Sequence, residues 1–231
     1  MFGGNIVRLP LNWKNRLFMG SLFFHRLFAR RYGTDLYVVN TTQHLDTYEP
    51  RLATLELMSR EIRRYGIEGS TAELGVYRGD FAMKINHFFP NKKLYLFDTF
   101  EGFDKRDAEA DRAGNFSDGS QDFSKTSEEY VLSRMEHKEN CIIRKGWFPD
   151  TAEGVDDKFC FVSLDADLYQ PILAGLEFFY PRLSHGGTIM IHDFNSKDYK
   201  GVRQAVKEFC DINKAGYVCL TDTCGSAVIT R

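Results

Sequence analysis

At 231 residues the chain suits one domain of generous size, able to bury a full core without disulfide staples. Its 30 basic residues nearly balance 32 acidic ones, so charge implies no nucleic-acid partner. Cys141, Cys160, Cys210, Cys219 and Cys224 are odd in number and form no Cys-x-x-Cys pair, which reads as reduced thiols in a cytoplasmic protein. No run of about 18 apolar residues could span a bilayer. Lys14, Arg16, Arg26, Arg30 and Arg31 break any signal-peptide pattern near the start.

Residues 1–47 read as an N-terminal arm. Its first 34 positions carry Arg8 and the five bases just named but no acid, interleaved with Trp13, Leu17, Phe18, Leu22, Phe23 and Phe28. Such a helix can lie on an anionic membrane surface. It can equally pack on the domain, on a second subunit or over the site, and apolar residues most of the way round favour that packing role and a homo-oligomer. Residues 35–47 read as an irregular connection with a short strand at Leu36 to Val39.

From Tyr48 to Tyr65, Leu52, Leu55, Met58 and Ile62 repeat at three and four, which predicts an amphipathic helix. Its charges, Arg51, Glu56, Arg60, Glu61, Arg63 and Arg64, are expected on a solvated face. Thr71 to Leu74 reads as a buried strand, followed by Gly75-Val-Tyr-Arg-Gly79 and a helix marked by Phe81, Ile85 and Phe88. Two glycines at a strand-to-helix turn let the backbone approach a ligand closely and aim free amides at it. Asp98 closes the next apolar run about 20 residues on, where a dinucleotide-type fold keeps a carboxylate for ribose hydroxyls. The glycine spacing is wider than the Gly-x-Gly-x-x-Gly of pyrophosphate binders. That suits a nucleoside with a cationic or zwitterionic tail, and counts against a nicotinamide dehydrogenase.

The polar stretch 104–124 has too little apolar content for a core element and reads as a lid. A helix from Ser127 to Met135 and a strand from Cys141 to Arg144 follow. Gly146-Trp147-Phe148-Pro149-Asp150 is a turn whose rings could wall an adenine or a substrate, with Trp147 capping the core as the alternative. Phe159 to Leu164 is nearly continuous in apolar character, as a parallel strand buried on both faces should be. It ends in Asp165-Ala-Asp167, after which Pro171 opens a helix. Gly186-Gly187 turns into a strand from Thr188 to Ile191 ending in His192-Asp193. A helix with Val202, Val206 and Phe209, a strand at Tyr217 to Leu220 and a tight return to Ala227-Val228-Ile229 complete the chain. The sum is a doubly wound, Rossmann-like, seven-stranded sheet, mostly parallel with one antiparallel strand and helices on both faces.

Ligands of such sheets gather outside the carboxyl ends of the strands. Glu73-Leu-Gly75, Asp98, Asp165 with Asp167, and His192 with Asp193 all fall there. Neighbouring acids repel unless a cation or a shared proton compensates. Asp165, His192 and Asp193 therefore read as a site for a hard cation such as Mg²⁺, with Asp167 as a general base for a substrate hydroxyl. Asp167 ahead of Pro171 could instead be a helix N-cap.

These motifs, Glu73-Leu-Gly-Val-Tyr-Arg-Gly79, Leu96-Phe-Asp-Thr-Phe-Glu-Gly-Phe103, Lys145-Gly-Trp-Phe-Pro149, Ser163-Leu-Asp-Ala-Asp-Leu-Tyr169 and Gly186-Gly to His192-Asp193, make residues 48–231 resemble the macrocin O-methyltransferase (TylF/MycF-like) family of class I S-adenosylmethionine-dependent methyltransferases. The resemblance implies methyl transfer from S-adenosylmethionine to a sugar hydroxyl of a glycosylated or nucleotide-linked acceptor, assisted by Mg²⁺. Carried residue by residue, it implies Glu73, Gly75 and Gly79 along the methionine part of the cofactor, Asp98 at the ribose, Asp165 and Asp193 as metal ligands and Asp167 as the base. Tyr77, Thr99, Gly146, Trp147 and Asp165 are expected as further cofactor contacts, and His192 as a third metal ligand and a catalytic partner of Asp167. His192 stands where the family's pattern has an acid. The competing readings are a metal-dependent small-phenol O-methyltransferase and a non-catalytic Rossmann-like module in glycan assembly.

Overall fold

The computed structural model describes residues 50–231. The expected N-terminal arm, the strand at Leu36 to Val39 and the boundary near residue 47 lie outside them.

The elements in chain order are α1 (Pro50–Arg64), β1 (Ser70–Leu74), α2 (Ala82–Phe88), β2 (Leu94–Asp98), α3 (Lys105–Gly114), α4 (Glu128–Ser133), β3 (Cys141–Lys145), β4 (Phe159–Leu164), α5 (Tyr169–Phe179), β5 (Leu183–Ile191), α6 (Lys200–Asn213), β6 (Val218–Cys219) and β7 (Ala227–Thr230). The seven strands form one sheet in the order β3-β2-β1-β4-β5-β7-β6. β7 runs antiparallel to both β5 and β6, and the remaining pairings are parallel. Among the described residues no helix is long and apolar enough to cross a membrane.

β1 and β4 are buried at every position, as central parallel strands covered on both faces must be. One apolar layer joins Leu74, Phe97 and Leu164 to Leu176 and Phe179 of α5 and Val202 and Phe209 of α6. The other joins Leu96, Phe161 and Met190 to Leu55 and Ile62 of α1, Ile85 of α2 and Val131 of α4. Helices on both faces thus fix the sheet, and its carboxyl edge is left open.

Three local expectations are corrected. Gly186 and Gly187 lie inside β5, where the pairing with β4 jumps register between Phe159 and Phe161, so they serve a bulge within the strand. The polar stretch after Phe103 is not wholly irregular, because Asp104 caps α3 by accepting from the Arg106 amide at 2.9 Å and Asn115 closes it in the left-handed conformation. The face α3 buries is Asp107, Ala108 and Asp111, an acidic face with no apolar periodicity to announce it. Finally, Arg51 and Glu56 do not lie on a solvated face of α1: they are only 5% and 8% exposed.

Candidate active site

The sheet's hydrogen-bond ladder runs one residue beyond β1, β3, β4 and β5. The Gly146 amide donates to the Asp98 carbonyl, Gly75 to Phe97, Asp165 to Leu74 and His192 to Leu164, at 2.8–2.9 Å. This lines up Gly146, Asp98, Gly75, Asp165 and His192 side by side along the carboxyl edge. Above them lies a cavity of about 430 Å³, lined by all the sequence-predicted site residues except Gly79, which faces the Val131 and Met135 side chains instead, and by Arg51, Asp107, Phe103, Phe123 and Tyr199 besides.

Gly75 has φ +85°, and a Cβ there would stand 2.2 Å from the Asp165 carbonyl oxygen. Only glycine fits, because both the left-handed backbone and the adjoining strand exclude a side chain. Asp98 organises the turn that follows. One of its carboxylate oxygens accepts from the Val76 and Tyr77 amides at 2.7 and 2.8 Å, and the other from Phe100 at 2.6 Å. A carboxylate has about four acceptor positions, so three of those at Asp98 already serve the backbone.

Tyr77, Phe100, Asp167 and Asp193 are all non-glycine residues with positive φ, between 47° and 61°. Such conformations cost on the order of 1 kcal/mol each and persist where the surroundings demand them. At the ends of β4 and β5 they turn the Asp167 and Asp193 side chains back toward the cavity. Asp167 is not the cap of α5: that position is Leu168, and the first helical amide, Tyr169, is bonded by Asp111 of α3 at 2.9 Å.

The acids are partly compensated by cations of the chain itself. Arg51 reaches in from the first turn of α1. It donates to Asp165 Oδ2 at 3.0 Å and Ser163 Oγ at 3.2 Å, with its guanidinium 3.8 Å above the Phe81 ring. His192 Nδ1 lies 3.1 Å from Asp165 Oδ1 and 3.1 Å from Asp193 Oδ2. Burial alone would lift the Asp165 carboxyl, but Arg51 and His192 outweigh it and hold Asp165 well below the usual carboxylate range. Burial pulls His192 down, yet its two carboxylate partners push it up to about 10. Among the described residues no cation pairs directly with Asp167, and His192 offsets its environment only in part. Burial, reinforced by Asp165 and Asp193, raises its carboxyl well above the usual range.

Glu73, 1% exposed, is raised strongly by burial, an effect Arg51 partly offsets and Asp165 and Asp98 add to. Its Oε2 has no hydrogen-bond partner among the described residues, nor have Arg51 Nε and the Tyr199 hydroxyl. All three residues line the cavity. At the other end, Trp147 donates to Asp107 at 3.0 Å and lies under the Arg106 guanidinium at 3.9 Å, while Phe148 enters the core. Both rings of that turn line the cavity, and Phe148 belongs to the core as well. Burial lifts Asp107 to about 6 despite the Trp147 bond.

Asp165, His192 and Asp193 each offer one ligand atom within 4.8 Å of the other two. The sequence reading missed Arg51, Asp107 and Tyr199. The one available signal for Arg51 was the acid excess itself, which required a cation from elsewhere in the chain.

A glycine turn beside a row of acidic strand ends, on a seven-stranded sheet with β7 reversed, defines a Rossmann-like methyltransferase fold. Solved structures of the O-methyltransferase NovP (19% identical, 79% of each chain covered, TM-score 0.63) and of the calicheamicin methyltransferase CalS11 (19%, 78% of each, 0.62) share it. The chain belongs to the macrocin-O-methyltransferase (TylF) family, whose profile matches residues 27–218. It is 26% identical to the mycinamicin III 3''-O-methyltransferase of Micromonospora griseorubida over 79% of this chain and 75% of that one. It is 27% identical to the 8-demethyl-8-(2,3-dimethoxy-alpha-L-rhamnosyl)-tetracenomycin-C 4'-O-methyltransferase of Streptomyces olivaceus over 62% of this chain; that match spans 60% of the relative's length.

Proposed function

We propose that this chain transfers a methyl group from S-adenosylmethionine to a hydroxyl of a sugar on a glycosylated or nucleotide-linked acceptor, with Asp167 as general base. The observation that carries the reading is the row of strand ends, in which a glycine-only cradle at Gly75 adjoins the buried acid Glu73 and the half-buried acids Asp165 and Asp167. The names of the two curated relatives, both O-methyltransferases of glycosylated compounds, support the sugar acceptor.

The cavity suits the cofactor's charge distribution. Glu73 is a buried carboxyl with an unpartnered oxygen, and a methionyl ammonium would answer both its burial and that vacancy of partners. Gly75 and Tyr77 would border that end of the cofactor and Trp147 with Gly146 its adenine. Asp98 and Thr99 would face the ribose, Asp98 with the acceptor capacity its three amide bonds leave.

Asp165, His192 and Asp193 fit a hard divalent cation: each carboxylate turns one oxygen to the imidazole at 3.1 Å, and Arg51 takes the second oxygen of Asp165. Ligation would require the imidazole to give up its proton. Bound together, S-adenosylmethionine would supply the electrophilic methyl group and the cation would lower the pKa of an acceptor hydroxyl.

Asp167 takes the hydroxyl proton as the acceptor oxygen attacks. Its elevated affinity for protons, caused by burial and two neighbouring acids, makes it a stronger base than an ordinary carboxylate once ionised. Arg51 and His192 keep Asp165 ionised, and Phe103 and Phe123 exclude water from above.

The test is incubation with methyl-labelled S-adenosylmethionine and a panel of methyl glycosides, nucleoside-diphosphate sugars and catechols, with and without EDTA. Label is expected in a glycosyl product and reduced by EDTA. Label confined to catechols would transfer the reading to small phenols, and no labelled product at all would overturn it.

A further inference from the structure

Four rings form a continuous arch over the acids. Tyr77 meets Phe123 edge-on at 5.1 Å, Phe123 meets Phe103 at 5.1 Å, and Phe103 meets Tyr199 at 6.4 Å, with interplanar angles of 72–78°. All four line the cavity. They come from the glycine turn, the stretch around α3 and the entry to α6, so no single element accounts for the arch. The Thr126 hydroxyl donates to the Tyr77 carbonyl and ties its near end to the glycine turn.

At the far end the Tyr199 side chain is only 8% exposed, yet its hydroxyl has no partner among the described residues. A buried hydroxyl without a partner is costly and calls for an explanation. Structural stacking alone would be served as well by phenylalanine, which already fills the two neighbouring positions. Burial and the nearby charges of Asp167 and Asp193 disfavour loss of the Tyr199 proton, so the group is a standing hydrogen-bond donor. The crevice beneath therefore offers an apolar wall, one fixed donor and a row of carboxylate acceptors. A pyranose has the matching chemistry: C–H faces that lie on aromatic rings, and vicinal hydroxyls that need both a donor and an acceptor.

We infer that the space between Phe103, Phe123 and Tyr199 above and Asp167 and Asp193 below is the acceptor subsite, taking one pyranose ring, and that Tyr199 selects which hydroxyl is methylated by donating to a neighbouring oxygen of that ring. This rests on the sugar O-methylation reading. Tyr199 is a positioning residue: it holds the acceptor, and Asp167 alone takes the proton. The Phe103 and Phe123 rings set the ring plane, and the hydroxyl sets its rotation within that plane.

The experiment compares wild type with Tyr199→Phe, using the panel acceptor of highest wild-type turnover. Expected for the variant are a rise of about tenfold or more in acceptor KM, a smaller change in kcat and an unchanged pH profile. Methyl groups should spread to a second hydroxyl, seen by NMR of the product. Calorimetric binding of S-adenosylhomocysteine should stay within about twofold and Tm should hold or rise, because an unpartnered buried polar group has been removed. Phe103→Leu, which keeps bulk but loses the flat ring, should raise acceptor KM without redistributing product. Unchanged KM and product position in Tyr199→Phe would overturn the inference while leaving the methyltransferase reading intact, as would a loss matched by weaker S-adenosylhomocysteine binding and lower Tm. A wild type that methylates no sugar would remove both.

Discussion

The two edges of the sheet hold acids in opposite conditions. At the amino edge Asp157 accepts from Ser70 Oγ at 2.8 Å, Tyr95 OH at 2.9 Å and Lys93 Nζ at 3.4 Å, which holds its carboxyl below the usual range. At the carboxyl edge Glu73 is buried, raised and short of a partner for one oxygen, and the half-buried Asp167 is raised beside Asp165 and Asp193, on a backbone bent into positive φ at Asp167 and Asp193. The first arrangement is complete as folded and stabilises. The second is incomplete in the protein alone, and its deficits have the charge and geometry of what it would bind. An acid cluster in a fold is thus informative chiefly through what it lacks.

Variants at the two edges should separate stability from activity. The largest effect is expected at Arg51→Met, which keeps the stem over Phe81 and strips Asp165 and Ser163 of their cation. Stability should fall by about 3 kcal/mol in urea unfolding, the cost of leaving a buried charge uncompensated. An unchanged midpoint would mean that His192 suffices alone. Asp167→Asn should lower kcat by about 10²-fold or more while S-adenosylhomocysteine binding holds and stability does not drop, since a carboxyl repelled by two neighbours becomes neutral. Unchanged turnover would remove Asp167 from the chemistry.

Asp107→Asn sharpens the comparison through pH. Burial raises this carboxyl to about 6, so the native state binds the proton more tightly than the unfolded chain. Its contribution therefore falls as pH rises from about 4 to about 6, and ionisation at neutral pH costs on the order of 2 kcal/mol. The amide keeps an acceptor for Trp147, so the variant should gain about that much at pH 7 and nothing at pH 4. Equal stability at both would show that Asp107 ionises without penalty. The smallest effect belongs to the amino edge. Asp157→Asn should cost about 1 kcal/mol at pH 7, a cost that disappears in acid as pH falls through the depressed native pKa and the carboxyl protonates, with kcat/KM untouched. Lost activity there would erase the division between the edges.

Much of this was legible in the chain. β4 was readable because a strand buried on both faces is apolar throughout, and the acids or glycines after β1, β2, β4 and β5 announced the edge they share. Arg51 was not, because helical periodicity assigns charges to the wet face and cannot register how far a long side chain reaches from a first turn. Asp107 and Asp111 were lost for a related reason: a helix that buries carboxylates has no hydrophobic stripe, although Asp104 and the four-residue spacing were a capping and facing signal. Tyr199 gave no sign, since an aromatic residue near a helix start reads as core until its hydroxyl is found unanswered.

The rung-by-rung continuation of the sheet beyond its strands makes the row of strand ends a ruler. The spacing from Gly75 to Asp165 to His192 is inherited from adjacent backbones roughly 4.8 Å apart, independent of any side chain packed above. Rings over the crevice can therefore be exchanged for another guest without recalibrating the acids below. A slip of one residue in β4 would instead send Asp165 into the core and bring Leu164 to the mouth, so tolerance to change should divide sharply between what overhangs the ruler and what is ruled.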